Sequence, residues 1–134
     1  MKYEFLEHTA DVKFRAYGKN LGECFENVIL AFSEIIAKGN KITPTEVRNI
    51  SVKGIDKKSL FYKFLEELNY LAEGGFVVCS GKVNVTGNSL KAKLYGDSAG
   101  NYSGLGEVKA ATYAEMRISK KSAKRWLVQA VLDV

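Results

Sequence analysis

The sequence predicts an α+β fold, in which two amphipathic α-helices pack on a mixed, largely antiparallel β-sheet. Two segments repeat apolar residues every three or four positions, which is the period of a helix. Several shorter segments alternate apolar and polar residues, as half-buried strands do. With 134 residues, 46% of them hydrophobic, and a single proline, we expect one domain over residues 1–134 with a substantial core.

The first elements follow from these patterns. Residues 3–6 and 12–17 are strand candidates, separated by a short polar segment. The first helix is expected to begin after Asn20, a good N-cap residue, and Gly39 can end it. Its apolar stripe consists of Leu21, Cys24, Phe25, Val28, Phe32, Ile35 and Ile36.

The second helix is expected between Asp56, which can cap its start, and the Gly74-Gly75 pair, which stops it. Its apolar stripe consists of Leu60, Phe61, Phe64, Leu65, Leu68, Leu71 and Ala72. The further strand candidates are residues 47–53, 76–79, 82–86, 90–95, 107–113 and 126–134. Residues 96–106 are rich in glycine but match no phosphate-binding glycine motif, so they predict a surface loop.

Composition excludes several classes of protein. No N-terminal stretch has the pattern of a secretory signal, and no apolar run approaches the length of a membrane span. Cys24 and Cys79 lack a CxxC partner, so we expect two buried thiols in a cytoplasmic protein. The net charge of +5 fits an RNA-associated or acidic partner, although solubility explains it equally well.

The only histidine, His8, lies in an acidic cluster between the first two strand candidates. Glu7, His8, Thr9 and Asp11 place two carboxylates, an imidazole and a hydroxyl at the end of rigid strands. Hard divalent cations bind such oxygen groups. The alternative is a plain turn in which Thr9 and Asp11 hydrogen-bond the local backbone. No nucleophile accompanies the cluster, so an active site is not indicated.

The other end of the chain carries two adjacent anionic groups, the side chain of Asp133 and the terminal carboxylate of Val134. If the last strand is docked in the sheet, both are held in place. Two neighbouring fixed anions repel each other unless a cation lies between them. A metal ion is the simplest candidate, and a lysine or arginine side chain is the alternative, since the chain has 20 such residues.

Three separated segments together resemble the signatures of the archease family. Residues 7–12, followed by Phe14, Ala16 and Gly18, are similar to its N-terminal signature. Residues 106–116, which read GEVKAATYAEM, are similar to its second signature, and residues 131–134 to its C-terminal strand. The resemblance covers the whole chain in order, including both predicted helices.

The resemblance implies an archease-like domain that is not itself an enzyme and has no catalytic residue. Its expected role is to assist an RtcB-type tRNA-splicing ligase, promoting guanylylation of the ligase and multiple turnover. A divalent cation (Ca²⁺, Mg²⁺ or Mn²⁺) is expected at Asp11, Asp133 and the carboxylate of Val134, with Glu7 and His8 flanking it. RNA would be contacted only through the ligase, and no membrane is involved.

The chain departs from the family pattern at two positions. Ala114 stands where the family commonly has histidine, which puts any role of that position in doubt, and Glu7 stands where aspartate is usual. Three other functions stay open at this point. They are a general chaperone or modulator of an RNA-modifying enzyme, a metal-dependent hydrolase, and a plain RNA-binding module.

Overall fold

The computed structural model describes residues 1–134 and contains two helices and eight strands. The helices are α1 (Leu21–Ala37) and α2 (Lys57–Glu73). The strands are β1 (Tyr3–Leu6), β2 (Val12–Gly18), β3 (Glu46–Lys53), β4 (Phe76–Thr86), β5 (Ser89–Ser98), β6 (Ala110–Ala111), β7 (Arg117–Ser122) and β8 (Arg125–Asp133). The predicted α+β class with two helices is confirmed.

The strands form two sheets, and every strand pair is antiparallel. A five-stranded sheet has the order β1-β2-β8-β6, and β7 pairs with β8 further along the same edge. A three-stranded sheet has the order β3-β5-β4. The predicted largely antiparallel pairing is therefore observed, but no parallel pair is present and the strands do not form one continuous sheet. Apolar periodicity predicts which residues are buried, whereas it leaves the strand partners open.

Both helices contribute their apolar stripes to one core of 29 buried residues. The predicted caps are present at both N-termini. The side chain of Asn20 accepts a hydrogen bond from the backbone of Glu23, and Asp56 forms a capping box with Ser59. Helix α1 ends at Lys38, which has a left-handed φ of 45°, directly before Gly39. The helix boundaries therefore follow from local sequence.

The strands differ from the sequence prediction in four places. One is the end of β5, which runs to Ser98 and so enters the predicted loop over residues 96–106. Residues 76–86 form one strand with a register shift between Val78 and Ser80, where two separate strands were expected. Of residues 107–113, only Ala110–Ala111 pair with a neighbouring strand. Residues 117–122 form an unpredicted strand, because their few apolar residues give a weak alternation pattern that pairing with β8 outweighs.

The structure also bears on the expectations for membrane spans and for the two cysteines. No helix has both the length and the apolar composition needed to cross a membrane. Both cysteines are free, and burial raises the pKa of the Cys24 thiol to about 12. Cys79 is half-buried rather than buried, because it lies at the register shift in β4.

The predicted glycine-rich loop is tied to the sheet by one buried carboxylate. Asp97, which is only 5% exposed, lies at the end of β5. Its carboxylate accepts hydrogen bonds from the Thr45 hydroxyl at 2.6 Å and the Tyr102 hydroxyl at 2.7 Å. The side chain of Asn101 and the backbone N–H of Ser98 also donate to it. The Thr45 and Tyr102 hydrogen bonds are the main causes that lower the pKa of Asp97 to about 2.

We expect Asp97→Asn to lower the melting temperature at pH 7 by roughly 10 °C, because four donors lose a charged acceptor. A carboxylate with a depressed pKa stabilises the folded state above its unfolded pKa, and this contribution is lost as the pH falls through the folded value. The difference from wild type should therefore disappear between about pH 4 and pH 2. Thermal unfolding followed by circular dichroism over this range checks it; a difference that is constant with pH would contradict the assignment.

Candidate functional site

The acidic cluster between β1 and β2 is a tight turn that holds Asp11 at the start of β2. The backbone N–H of Asp11 donates to the carbonyl of Thr9 at 2.8 Å. Ala10, between them, has a φ of 67°, a left-handed conformation that is uncommon for residues other than glycine. Such strain persists only where the surrounding structure imposes it, and it is frequent at functional sites.

The strand register brings the two ends of the chain together. Strand β2 pairs with β8 from Val12, which lies opposite Leu132, so the next residues along this antiparallel register are Asp11 and Asp133. On its other side, Asp133 pairs with Ala110, and its carbonyl accepts a hydrogen bond from the backbone of Lys109 at 2.7 Å. Strand β8 is thus held between two neighbours up to Leu132, and Asp133 is paired on the β6 side. We call Asp11, Asp133 and Val134 the acidic tip.

No basic group neutralises the acidic tip. The ion pairs of the chain are His8–Glu115, Lys13–Glu115 and Arg48–Glu46. Neither aspartate of the tip, nor the terminal carboxylate, has a basic nitrogen within 4.0 Å, so the lysine or arginine alternative is not observed. The tip offers only carboxylate oxygens, a donor set that suits hard divalent cations.

No group of three or more His, Cys, Asp or Glu side chains is arranged to hold a metal ion. The predicted ligand set contains only two such side chains, Asp11 and Asp133, and its third member is the carboxylate of Val134. Its donor chemistry fits a divalent cation. The metal ligands therefore stay a prediction. It is supported by the strand register and by the absence of a basic group beside these carboxylates.

The two residues predicted to flank the metal site, His8 and Glu7, have different surroundings. His8 makes a hydrogen bond from Nε2 to Oε2 of Glu115 at 3.0 Å, across 107 residues of sequence. Lys13 donates from Nζ to Oε1 of the same carboxylate at 2.9 Å. Glu7 is exposed and makes no side-chain hydrogen bond or ion pair. The structure thus brings His8 into a defined contact and leaves Glu7 free.

Glu115 lies in the loop between β6 and β7, which both pair with β8 on the side away from β2. Its φ of 52° is left-handed, and its carbonyl accepts a hydrogen bond from Nε2 of Gln129 at 2.7 Å. Gln129 is 2% exposed and accepts a hydrogen bond from Nε of Arg15 at 2.8 Å. Thr112, at the start of the loop, donates to the carbonyl of Val131 at 2.8 Å. These hydrogen bonds attach the loop of residues 112–115, which belongs to the segment similar to the second signature, to strand β8, which carries Asp133.

Sequence reasoning identified the second signature but missed Glu115 and Lys13 as members of the site. Glu115 directly follows Ala114, the position where the family commonly has histidine. The sequence feature that could have identified Glu115 is its negative charge within the segment 106–116. Its contact with His8 depends on pairing between distant strands, which the sequence pattern does not specify.

We expect Glu115→Gln to weaken the link between the two signatures. The hydrogen bonds from Lys13 and His8 lower the pKa of Glu115, so its charge stabilises the folded state above about pH 4.3, and this contribution is lost as the pH falls. The variant should melt about 2 °C below wild type at pH 7, and the difference should shrink below pH 4. Thermal melts at both pH values check this. Glu107→Gln, an exposed control without side-chain hydrogen bonds, should be neutral at both.

A groove of about 970 Å³ lies where the β7–β8 hairpin meets the N-terminus and the start of α1. Its lining includes the six basic residues Lys2, Arg15, Lys19, Lys121, Lys124 and Arg125. None of the six pairs with a carboxylate within 4.0 Å. Trp126 also lines it. We call this surface the basic groove.

Comparison with known proteins gives a consistent result. Residues 3–134 match the model of the archease protein family (MTH1598/TM1083). The protein archease of Pyrococcus abyssi is 40% identical, with 99% of both chains covered. That of Thermococcus kodakarensis is 39% identical, again over 99% of both chains.

Two solved structures are similar to this chain. The solution structure of Methanobacterium thermoautotrophicum protein 1598 has a TM-score of 0.79 and 29% identity, covering 98% of both chains. The crystal structure of an archease from Thermotoga maritima, described as a possible chaperone, has a TM-score of 0.63 and 19% identity. It covers 96% of this chain and 94% of its own, and at that identity the likeness is one of fold alone.

Proposed function

This chain belongs to the archease family, and we propose that it is a cytoplasmic protein cofactor of an RtcB-type tRNA-splicing ligase, not itself an enzyme. In this role it promotes guanylylation of the ligase and repeated turnover. The observation that supports the proposal is the register of β2 and β8. Its last pair is Val12 with Leu132, so Asp11 and Asp133 are the next residues along it, and neither has a basic group to neutralise it. RNA is contacted through the ligase.

The chemistry of the acidic tip supports a role at a nucleotide site. The side chains of Asp11 and Asp133 and the carboxylate of Val134 would hold Ca²⁺, Mg²⁺ or Mn²⁺. When bound, such an ion supplies positive charge against the phosphates of GTP. The hydrogen-bonded turn and the paired end of β8 hold the backbone of Asp11 and Asp133, so less ordering of these two residues is needed when the ligase docks.

The proposal is tested by ligase turnover with and without this protein, measured in Mn²⁺, Mg²⁺ and Ca²⁺. RNA substrates bearing a 3′-phosphate and a 5′-hydroxyl are ligated with the RNA in excess over the ligase. We expect the protein to raise the number of turnovers per ligase and to accelerate formation of the guanylylated ligase. Equal turnover with and without the protein, in all three metals, would contradict the proposal.

A general chaperone or modulator of RNA-modifying enzymes is the alternative, in keeping with the description of the Thermotoga maritima archease as a possible chaperone. It predicts protection of several unrelated enzymes against thermal inactivation, without dependence on Asp11 or Asp133. Substitutions in the acidic tip therefore separate the two functions. They should reduce stimulation of the ligase, whereas a chaperone activity should stay unchanged.

The basic groove favours a second candidate, a plain RNA-binding module. Six unpaired cations beside an indole ring suit a single-stranded phosphate backbone. This function predicts RNA affinity without any ligase, with a slope of log affinity against log salt of roughly −0.7 per phosphate contact. Fluorescence anisotropy of a labelled oligoribonucleotide at several KCl concentrations measures it. Under the ligase-cofactor proposal the affinity for free RNA is weak throughout.

A further inference from the structure

The turn that carries Asp11 is fixed to the rest of the protein at few points. Residues 7–11 lie outside both neighbouring strands, because β1 ends at Leu6 and β2 begins at Val12. All of them except Asp11 are exposed, so packing does not hold the turn. Ala10 has a left-handed φ of 67°, which alanine rarely adopts unless other contacts impose it. A segment with so few buried contacts is expected to move unless a side chain anchors it.

One carboxylate anchors this turn from both sides. The Oε2 atom of Glu115 lies 3.0 Å from Nε2 of His8, which is three residues before Asp11. The Oε1 atom of the same carboxylate accepts a hydrogen bond at 2.9 Å from Nζ of Lys13, which is two residues after Asp11. The contact with His8 is the only side-chain hydrogen bond that residues 7–11 make. We call Glu115, His8 and Lys13 the carboxylate bridge.

Glu115 is a suitable anchor because its own loop is fixed at several points. The backbone N–H of Met116 donates to the carbonyl of Tyr113 at 3.2 Å, which closes a turn around Glu115, and Met116 is 4% exposed. The ring of Tyr113 stacks on that of Tyr62 in α2, with centroids 4.1 Å apart and planes 8° from parallel. With the hydrogen bond from Gln129, these contacts attach the loop to the core, to α2 and to β8.

The carboxylate bridge also relates the two aspartates of the acidic tip. Strand β8 ends at Asp133 and contains Gln129, whose side chain donates to the carbonyl of Glu115. The carboxylate of Glu115 in turn contacts the chain on both sides of Asp11. These contacts add to the β2–β8 register, which reaches no further than Val12. The turn is therefore held relative to the strand that carries the second aspartate.

We propose that Glu115 is a positioning residue for the acidic tip, which holds residues 7–11 in the conformation where Asp11 shares a divalent cation with Asp133. Glu115 does not bind the cation itself, because each of its carboxylate oxygens is already engaged, by His8 or by Lys13. Residues that hold metal ligands in place typically change metal affinity by about 10- to 100-fold when they are replaced. The effect on cation binding rests on the metal site of the proposed function, whereas the ordering of the turn does not.

The ordering is tested by NMR relaxation on the full ¹⁵N-labelled protein without added metal. In wild type we expect the backbone amide of Asp11 to have an order parameter of about 0.85, as in rigid segments. In Glu115→Ala it should fall below about 0.6, whereas the amide of Phe14, inside β2, should keep its wild-type value. A mobile turn in the wild-type protein, or an unchanged order parameter at Asp11 in the variant, would overturn the proposal.

A second variant separates the position of the carboxylate from its charge. Glu115→Asp keeps the negative charge but is shorter by one methylene group, so it does not reach His8 and Lys13 together. Binding of MnCl₂ is followed through the electron paramagnetic resonance signal of the free ion. Glu115→Ala and Glu115→Asp should both bind Mn²⁺ about tenfold more weakly than wild type. Wild-type affinity in Glu115→Asp would refute the positioning role, because charge alone would then explain the effect.

Glu107→Ala is the matched control. It removes one negative charge from the same segment, 106–116, and Glu107 is exposed and makes no side-chain hydrogen bond or ion pair. The order parameter of Asp11 should stay at its wild-type value, and the affinity for Mn²⁺ should stay within about twofold. Equal losses in Glu107→Ala and Glu115→Ala would assign the effect to net charge and contradict the proposal.

The two measurements keep this inference separate from the proposed function. If the wild-type protein binds none of Mn²⁺, Mg²⁺ and Ca²⁺, the metal site of the proposed function fails, and the order parameter of Asp11 still decides whether Glu115 positions the turn. If wild type binds Mn²⁺ and both Glu115 variants bind it equally well, the positioning role fails and the metal site stands.

Discussion

Replacing Asp11 with asparagine is expected to reduce maximal stimulation of a partner ligase by about 10- to 100-fold, the usual cost of losing part of a metal site. The substitution keeps the shape of the side chain and removes its charge. One carboxylate of the acidic tip is lost, and with it part of the negative charge that would attract a divalent cation. Steady-state turnover at saturating protein concentration measures the effect.

The fold should survive this change. Asp11 is only partly buried and makes no ion pair, and its backbone hydrogen bond to Thr9 does not involve the side chain. We expect the free energy of unfolding to stay within roughly 0.5 kcal/mol of wild type. Asp133→Asn should cause a comparable loss of stimulation, and so should a glycine added after Val134, which moves the terminal carboxylate.

Glu107→Gln is the matched control, because Glu107 is exposed, makes no side-chain hydrogen bond or ion pair, and has no predicted role in the metal site. It should leave stimulation within about twofold of wild type. An Asp11→Asn protein that stimulates as well as wild type would show that the acidic tip has no role in activation. The general chaperone function would then be the better explanation.

Replacing Phe25 with alanine is expected to destabilise the protein by about 3–5 kcal/mol. Phe25 is fully buried in α1 and stacks against two rings of α2. Its ring centroid lies 5.2 Å from that of Phe61 and 5.2 Å from that of Phe64, with interplanar angles of 19° and 21°. Its removal takes away apolar contacts on both sides and leaves a cavity between the helices.

A domain of this size has a total stability of about 5–15 kcal/mol, so the variant would be close to unfolding at room temperature. Urea denaturation followed by circular dichroism measures the change. Ile55→Ala serves as control, because Ile55 is 87% exposed and should contribute no more than about 0.5 kcal/mol. A loss below about 1 kcal/mol for Phe25→Ala would mean that this aromatic cluster does not hold the helices together.

Sequence patterns predicted both helices closely because the interactions that define them are local. The caps at Asn20 and Asp56 each bond a backbone group three residues away. The strands were predicted less well. The pattern located β1, β2 and β8, but it missed β7 and divided β4 in two, because strand limits depend on partners that lie far away in sequence.

The residues of the candidate site were likewise predicted only in part from the sequence. The sequence pointed to Asp11, Asp133 and Val134 from charge and from the family resemblance, and the strand register supports their meeting. It did not reveal that Glu115 links His8 to Lys13. These contacts join residues that no local pattern relates.

By itself, the sequence determined the α+β class, the positions and caps of the two helices, and the family to which the chain belongs. Only the tertiary structure decided that the strands form two antiparallel sheets and that Glu115 reaches His8 across 107 residues. The reason is the range of the interactions. Helix caps and apolar stripes act within a few residues, whereas strand partners and polar contacts between distant segments are chosen only when the whole core packs.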